Sequence, residues 1–333
     1  MLKIEYNEDI KEFAKVFTGL GIGARLDTNN TYFGLGIYIA DLTVPMQMYE
    51  SWHEQGVKNL LNGYVVPAGQ TGMEDINDAV DHLFNHPNVG PFLAKRLIQR
   101  LVKSNPTPSY VSAVASAFNN NGAGVRGDMQ AVVKAILLHP EARSCSWSTD
   151  PDQGKLREPI LKYTDFVKST GIFSPLNNYW NYSYWFKQNT AQHPLRSQTV
   201  FNFYGPDYTP NGPISDNNLV APEFELYDTR TSIGFANQVY YWVESEIMLR
   251  TAGYEDYTIS APNLGVYSEM AKSSDAILDY LDVVMTHGQL TDRTRGIIKE
   301  TLDQNSLSLT QLNYRVRLAT YLILISPDYN ILK

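Results

Sequence analysis

Residues 73–138 read MEDINDAVDHLFNHPNVGPFLAKRLIQRLVKSNPTPSYVSAVASAFNNNGAGVRGDMQAVVKAILL, and this stretch decides the fold. Apolar side chains recur at helical spacing in four runs, roughly 73–85, 89–103, 107–119 and 127–138. Between the runs stand Pro, Asn and Gly. Pro108 and Asp128 occupy positions favoured at helix N-termini, and Asn119-Asn120-Asn121-Gly122 is a stop signal. Helices joined by loops this short pack as antiparallel neighbours in a bundle.

Working outward, Ile10, Phe13, Ala14, Val16 and Phe17 predict an amphipathic helix over about 8–19, ended by glycines. Between Tyr32 and Met48, β-branched and aromatic residues with Gly34, Gly36 and Pro45 predict two short strands or an irregular arm, extending over about 32–66. On the C-terminal side, Pro159 opens a helix to about Lys168, and further helices are expected near 223–249, 273–286, 291–303 and 308–325. The stretch of about 171–222, rich in Asn, Tyr and Pro, reads as a long loop, a kind of segment that is usually functional or mobile. The fold class is therefore mainly α: a multi-helix bundle with a small irregular or β arm and a long aromatic-rich loop. The polar stretch 144–158 is the best candidate boundary, dividing 1–145 from 146–333, with a single shared core as the alternative.

Composition narrows the function. With 43% hydrophobic and 19% charged residues, the chain is globular in character. A formal net charge of -8 argues against a nucleic-acid surface, which needs clustered cations to displace counterions. The basic cluster Lys95, Arg96, Arg100 and Lys103 is a helix stripe, read as a salt-bridged face before an anion site. Cys145 is the single cysteine, so no intrachain disulfide forms, and it has no neighbouring His to activate it. No apolar run is long enough to span a bilayer, and Met1 to Tyr6 lacks the layout of a signal peptide.

Several local strings invite chemistry. Gly19-Leu20-Gly21-Ile22-Gly23-Ala24 fits a dinucleotide pattern on paper but follows a helix, whereas a phosphate cradle follows a strand. Asp150-Pro151-Asp152-Gln153-Gly154 with Glu158 faintly resembles a calcium loop, weakened by Pro151; a structural pair of Arg157 with Glu158 explains the same region. The region 179–208 is dense in aromatics. Trp180, Trp185 and Tyr204, with Arg196, are candidate ligand-binding residues, because flat rings with polar edges suit sugar faces or a protein partner. The competing reading is an aromatic core under a long loop.

Five strings in order resemble one bacterial family, the domain of unknown function 1800. They are Asn85-His86-Pro87-Asn88-Val89-Gly90-Pro91-Phe92 with Arg96 to Val102; Phe118 to Asp128; Gly154-Lys155-Leu156-Arg157-Glu158-Pro159; Pro194-Leu195-Arg196-Ser197-Gln198-Thr199-Val200-Phe201-Asn202-Phe203-Tyr204; and Val220-Ala221-Pro222-Glu223-Phe224. Ser326-Pro327-Asp328-Tyr329 resembles the family's C-terminal close. The resemblance implies an extracytoplasmic setting and a chain matching the C-terminal two thirds of the family's usual length, the export signal and a further helical region standing before it. It also implies company with a sulfatase-like secreted family, the domain of unknown function 1501.

At His53-Glu54-Gln55-Gly56-Val57-Lys58 the family usually shows His-Asp-x-Gly-x-Lys, so His53, Glu54 and Lys58 are candidate catalytic residues, with His53 and Glu54 as candidate metal ligands. Glu54 in place of Asp lengthens the carboxylate arm, and Val57 stands where a zincin would carry its second His. The plainer reading is that His53 and Glu54 tie the arm to the helices by hydrogen bonds. Two functions compete. The preferred one is a cell-envelope or secreted binding or assembly protein holding a glycan or a protein. The alternative is a metal-dependent hydrolase or other enzyme centred on His53 and Glu54, with Arg96 or Arg196 as an anion holder. Neither fixes a cofactor.

Overall fold

A computed structural model describes residues 5–23, 33, 41, 43–144, 154–171, 183–200, 202–244, 247–250, 257–260, 267, 269–304 and 309–332. Among these residues the chain is mainly α-helical, and its sheets are all two-stranded. Contacts divide the chain into two units, residues 1–93 and 94–333. The polar stretch near 145 lies inside the second.

The first unit runs α1 (Glu5–Val16), β1 (Leu20–Gly21), β2 (Gln47–Met48), β3 (Lys58–Leu60), β4 (Tyr64–Val66), α2 (Gly72–Phe84) and the start of α3 (Val89–Leu101). Strand β1 pairs antiparallel with β2, and β3 with β4. The turn between β3 and β4 holds Asn62 and Gly63 at φ 60° and 73°, left-handed values that Asn and Gly tolerate best. Val16, Leu60, Val66 and Ala79 form a small core, flanked by Phe13 and Ile76. Thr71 starts α2 with a capping box, its hydroxyl accepting from Glu74 N while the Glu74 carboxylate accepts from Thr71 N. That cap fixes where Asp75 sits, one residue into the helix from Glu74.

The second unit continues through α4 (Pro108–Asn119), α5 (Met129–Leu138), α6 (Pro140–Arg143), β5 (Lys155–Leu156), α7 (Pro159–Ser169), α8 (Ser183–Thr190), α9 (Pro213–Asp216) and α10 (Thr229–Glu244). It closes with β6 (Ile247–Arg250), β7 (Tyr257–Ser260), α11 (Ser274–Leu281), a π-helical turn at Asp282–Thr286, α12 (Asp292–Asp303), α13 (Leu309–Ile325), α14 (Pro327–Asn330) and β8 (Ile331–Leu332). Its core centres on Trp242, whose ring lies 5.7 Å from that of Phe166. Val239, Leu278, Ile298, Val316 and Ile323 pack in the same cluster. Helices α8 and α10 cross closely at Gly234, where an added Cβ would stand 2.5 Å from the Asn189 carbonyl oxygen.

The helix starts expected at Pro108 and Asp128 form: Pro108 opens α4 behind a Thr107 cap that accepts from Tyr110 N, and Asp128 accepts from Gln130 N and Ala131 N. Two elements differ from the sequence reading. The expected helix over 223–249 is a 3-10 turn (Pro222–Leu226) followed by α10, because Asp228 accepts from Thr231 N at 2.7 Å and restarts the helix, and its last positions from Ile247 belong to β6 instead. Within the stretch read as a loop, α8 forms, burying Phe186 and Thr190.

Candidate functional site

In the first unit, the segment after β2 delivers His53 and the start of β3 delivers Lys58 to one carboxylate, Asp75 on α2. His53 Nε2 lies 3.0 Å from Asp75 Oδ2, and Lys58 Nζ pairs with the same oxygen. All three side chains are fully buried or within 1% of it. Lys58 Nζ also donates to the carbonyls of Glu54 and, at 3.1 Å, Gly56. The Thr18 hydroxyl gives its proton to Lys15 O at 2.6 Å and accepts from Glu54 N at 2.9 Å. His53 Nδ1 must therefore donate to Thr18 O, 2.9 Å away. With Nε2 against the Asp75 carboxylate, both ring nitrogens are engaged by protein groups.

Glu54 does not join this cluster. Its side chain turns outward and accepts from Gly56 N at 3.0 Å. His53 and Lys58 are thus brought together, by an aspartate the sequence reading did not single out, while Glu54 stands apart. Among the described residues no group of three or more His, Cys, Asp or Glu side chains converges as a metal site. Of the two residues in the plainer reading, His53 reaches the helix as a buried tie, and the Glu54 side chain does not.

A second cluster, in the second unit, was not recognised as a site from sequence. It gathers around Glu158, the residue before α7. Arg100 Nη1 from α3 pairs with Glu158 Oε1 at 2.5 Å, and the Tyr204 hydroxyl donates to the same oxygen at 2.8 Å. Gln192 Nε2 donates to Oε2 at 2.6 Å while its own Oε1 caps the exposed N–H of Ile160 at 3.0 Å. Arg100 also contacts the Tyr204 hydroxyl. Burial alone would raise the Glu158 pKa, but the Arg100 charge and the bonds from Tyr204 and Gln192 outweigh it and hold it below its ordinary value. The Tyr204 hydroxyl is pushed the opposite way, by burial and then by the Glu158 charge. Alongside, Lys155 and Glu223, each only 2% exposed, pair at 3.0 Å.

Arg157 does not pair with Glu158. It turns to Asp165 at 2.6 Å and lies over the Tyr329 ring, because the chain direction at β5 sends alternate side chains to opposite sides. Deeper in α7, Lys162 is fully buried with no carboxylate partner among the described residues, its Nζ against the Tyr227 hydroxyl and over the rings of Tyr227 and Phe235. Burial, then the Arg157 charge, lower its pKa well below the usual lysine value. The basic stripe is ion-paired throughout: Lys95 and Arg96 with Asp207, Arg100 with Glu158, and Lys103 with Glu141.

The residues marked as aromatic ligands divide differently. Tyr204 is buried and serves as a clamp on Glu158. Trp180 lies outside the described residues, as do Cys145 and Asp150 to Gln153, and Trp185 is described only as a position in α8. Arg196 is exposed, on a loop whose two ends, Gln192 and Tyr204, are both bonded to the one carboxylate of Glu158. Between them, Leu195 and Val200 stand out at 104% and 95% exposure. Ala191, Leu195 and Asn202 have φ of 57°, 60° and 82°, conformations that cost a side-chain-bearing residue energy and gather where the fold imposes a shape. Inside the loop, Arg196 N bonds to His193 O at 3.1 Å, and the Ser197 hydroxyl to Thr199 O at 2.9 Å.

The signal for this second cluster lay in the strings that carry the family resemblance. Arg100, Glu158, Tyr204 and the Lys155–Glu223 pair come from four of them, and the fold brings all four together. No helix among the described residues is long and apolar enough to cross a membrane. No curated protein and no solved structure matches the chain. A family model does match it over residues 5–331, nearly its whole length, and the chain belongs to that family, the proteins of unknown function DUF1800.

Proposed function

We propose that this chain is an extracytoplasmic binding or assembly protein that engages a protein partner through the loop 193–203. The observation that carries the reading is the exposure of Leu195 and Val200 on a loop held at both ends by one buried carboxylate. Apolar side chains presented on a pre-ordered backbone suit recognition, because little conformational entropy remains to be lost on binding. Arg196 between them adds a charge at the rim. The closed hydrogen bonding at His53 supports this reading over the alternative, a metal-dependent hydrolase centred on His53 and Glu54.

The partner to test is the sulfatase-like secreted protein of the domain of unknown function 1501 that the resemblance brings with it. Co-expression should yield a complex that co-elutes in size-exclusion chromatography. Placing a charge at each tip, Leu195→Asp with Val200→Asp, should weaken it by tenfold or more, since burying one such side chain contributes roughly 1.5–3 kcal/mol. A complex of unchanged affinity, or no complex with the parent chain, would overturn the proposal.

A further inference from the structure

Helices α10 and α13 run antiparallel. Tyr240 of α10 meets Tyr321 of α13, and one turn further along α10 Glu244 meets Arg317, one turn back along α13. Their inner faces fill the core with Val239, Trp242, Val316 and Ile323. On the outer face Tyr240, Tyr241 and Tyr314 are 53%, 56% and 48% exposed, with Tyr321 half-buried beside them. Tyr321 packs against that core with part of its ring, whereas Tyr240, Tyr241 and Tyr314 take no part in it, so their exposure is not overflow from it.

Two features identify an occupant. The first is spacing: Tyr314 and Tyr321 are two turns apart on one face of α13, about 10 Å along its axis, the length of two hexose rings in an extended chain. Tyr240 packs edge-on against Tyr321, with centroids 6.5 Å apart at 86°, and Tyr241 stands likewise against Tyr240 at 6.0 Å and 71°, forming a wall beside the row. The second is charge. Between the two tyrosines of α13 stands Arg317, paired with Glu244 at 3.3 Å and half-exposed. A protein interface concentrates its energy in a dry apolar centre, and here the centre is an ion pair that such an interface would strip of water. Sugar hydroxyls can instead hydrogen-bond both partners, while the C–H faces of the rings stack on the tyrosines.

We propose that the α10–α13 face binds an extended, uncharged polysaccharide, with Tyr314 and Tyr321 stacking on sugar rings and the Arg317–Glu244 pair bonding the hydroxyls between them. This surface is separate from the loop 193–203 and does not depend on it.

The test is affinity electrophoresis of the whole protein in native gels cast with hydroxyethyl cellulose, galactomannan or xyloglucan, with dextran sulfate as the charged comparison. The parent is expected to be retarded by at least one neutral polymer. Tyr314→Ala and Tyr321→Ala should each weaken retention, on the order of fivefold for one lost stacking ring. Tyr321→Phe, which keeps the ring and the packing, should retain most of it. The Leu195→Asp, Val200→Asp protein, measured against its own mobility in a polymer-free gel, should be retarded as much as the parent, which separates failure of this surface from failure of the loop reading. Absence of retardation by every neutral polymer, retardation by dextran sulfate alone, or alanine variants with parental retention would each overturn the proposal.

Discussion

Replacing Glu158 by Ala should release the loop 193–203 before it unfolds anything else. The carboxylate accepts from Tyr204 at 2.8 Å and Gln192 at 2.6 Å, and a hydrogen bond to a charged group contributes roughly 1.5–3 kcal/mol. Arg100 is 42% exposed, so water compensates much of its loss and the ion pair adds no more than about 1 kcal/mol. Removing a desolvated charge offsets part of the total, leaving a net destabilisation of about 3 kcal/mol. In a unit of this size that corresponds to a fall in Tm of roughly 6–12 °C. The local effect is read by limited trypsinolysis. Arg196 is the exposed cleavage point inside the loop, and the rate of cutting after it should rise at least tenfold in the variant, at temperatures well below its own Tm. A variant cut after Arg196 at the parental rate, with Tm within 1 °C, would refute the idea that Glu158 holds the loop.

Acid should act on the same clamp in the parent. The Glu158 pKa is lowered in the folded state, so its contribution is complete above the ordinary glutamate value, about 4.3, and is lost as pH falls through the depressed one. Cleavage by pepsin within 193–203 should accelerate only below that range, and acceleration near pH 6 would contradict it. Lys162 gives the reverse experiment. Its depressed pKa means the unfolded chain binds the extra proton, so stability should rise with pH up to the ordinary lysine value near 10.5. Lys162→Met should raise the urea midpoint at pH 7 and flatten that slope, and a less stable Met variant with the slope intact would speak against a neutral amine. In the first unit, Asp75→Ala strands Lys58 without a counter-charge and should cost about 3–5 kcal/mol, whereas Glu54→Ala should stay within about 0.5 kcal/mol. Urea denaturation monitored by tryptophan fluorescence distinguishes the two, and equal effects would argue against the His53–Asp75–Lys58 tie.

The helices of 73–138 were legible because each carries its own start, stop and periodicity, and the starts at Pro108 and Asp128 form where the sequence places them. Element α8 was less so. Its aromatic and polar composition, with few strong helix formers, gives a weak helical signal, and it is held by the close crossing at Gly234 on α10, a contact between residues far apart in sequence. At the candidate sites, the strings gave His53, Lys58 and Tyr204 but not their shared acceptors. Asp75 sits 22 residues from His53, and Glu158 sits 46 from Tyr204. Nothing local in either segment says which carboxylate will be met. Glu158 was assigned to its neighbour Arg157, yet alternating side chains along an extended segment separate adjacent residues rather than pair them.

The residues that hold the loop 193–203 lie at its borders or outside it, and those at its tip contribute nothing to the core. Its tip can therefore be rewritten without disturbing the scaffold, in the way that a hypervariable loop is exchanged on a constant frame. On the proposed reading, a change of partner would need only new side chains at Leu195, Arg196 and Val200, and the same carboxylate would seat each version in register. The exposed tip and the residues that seat it are different, so one can diverge while the other stays constant.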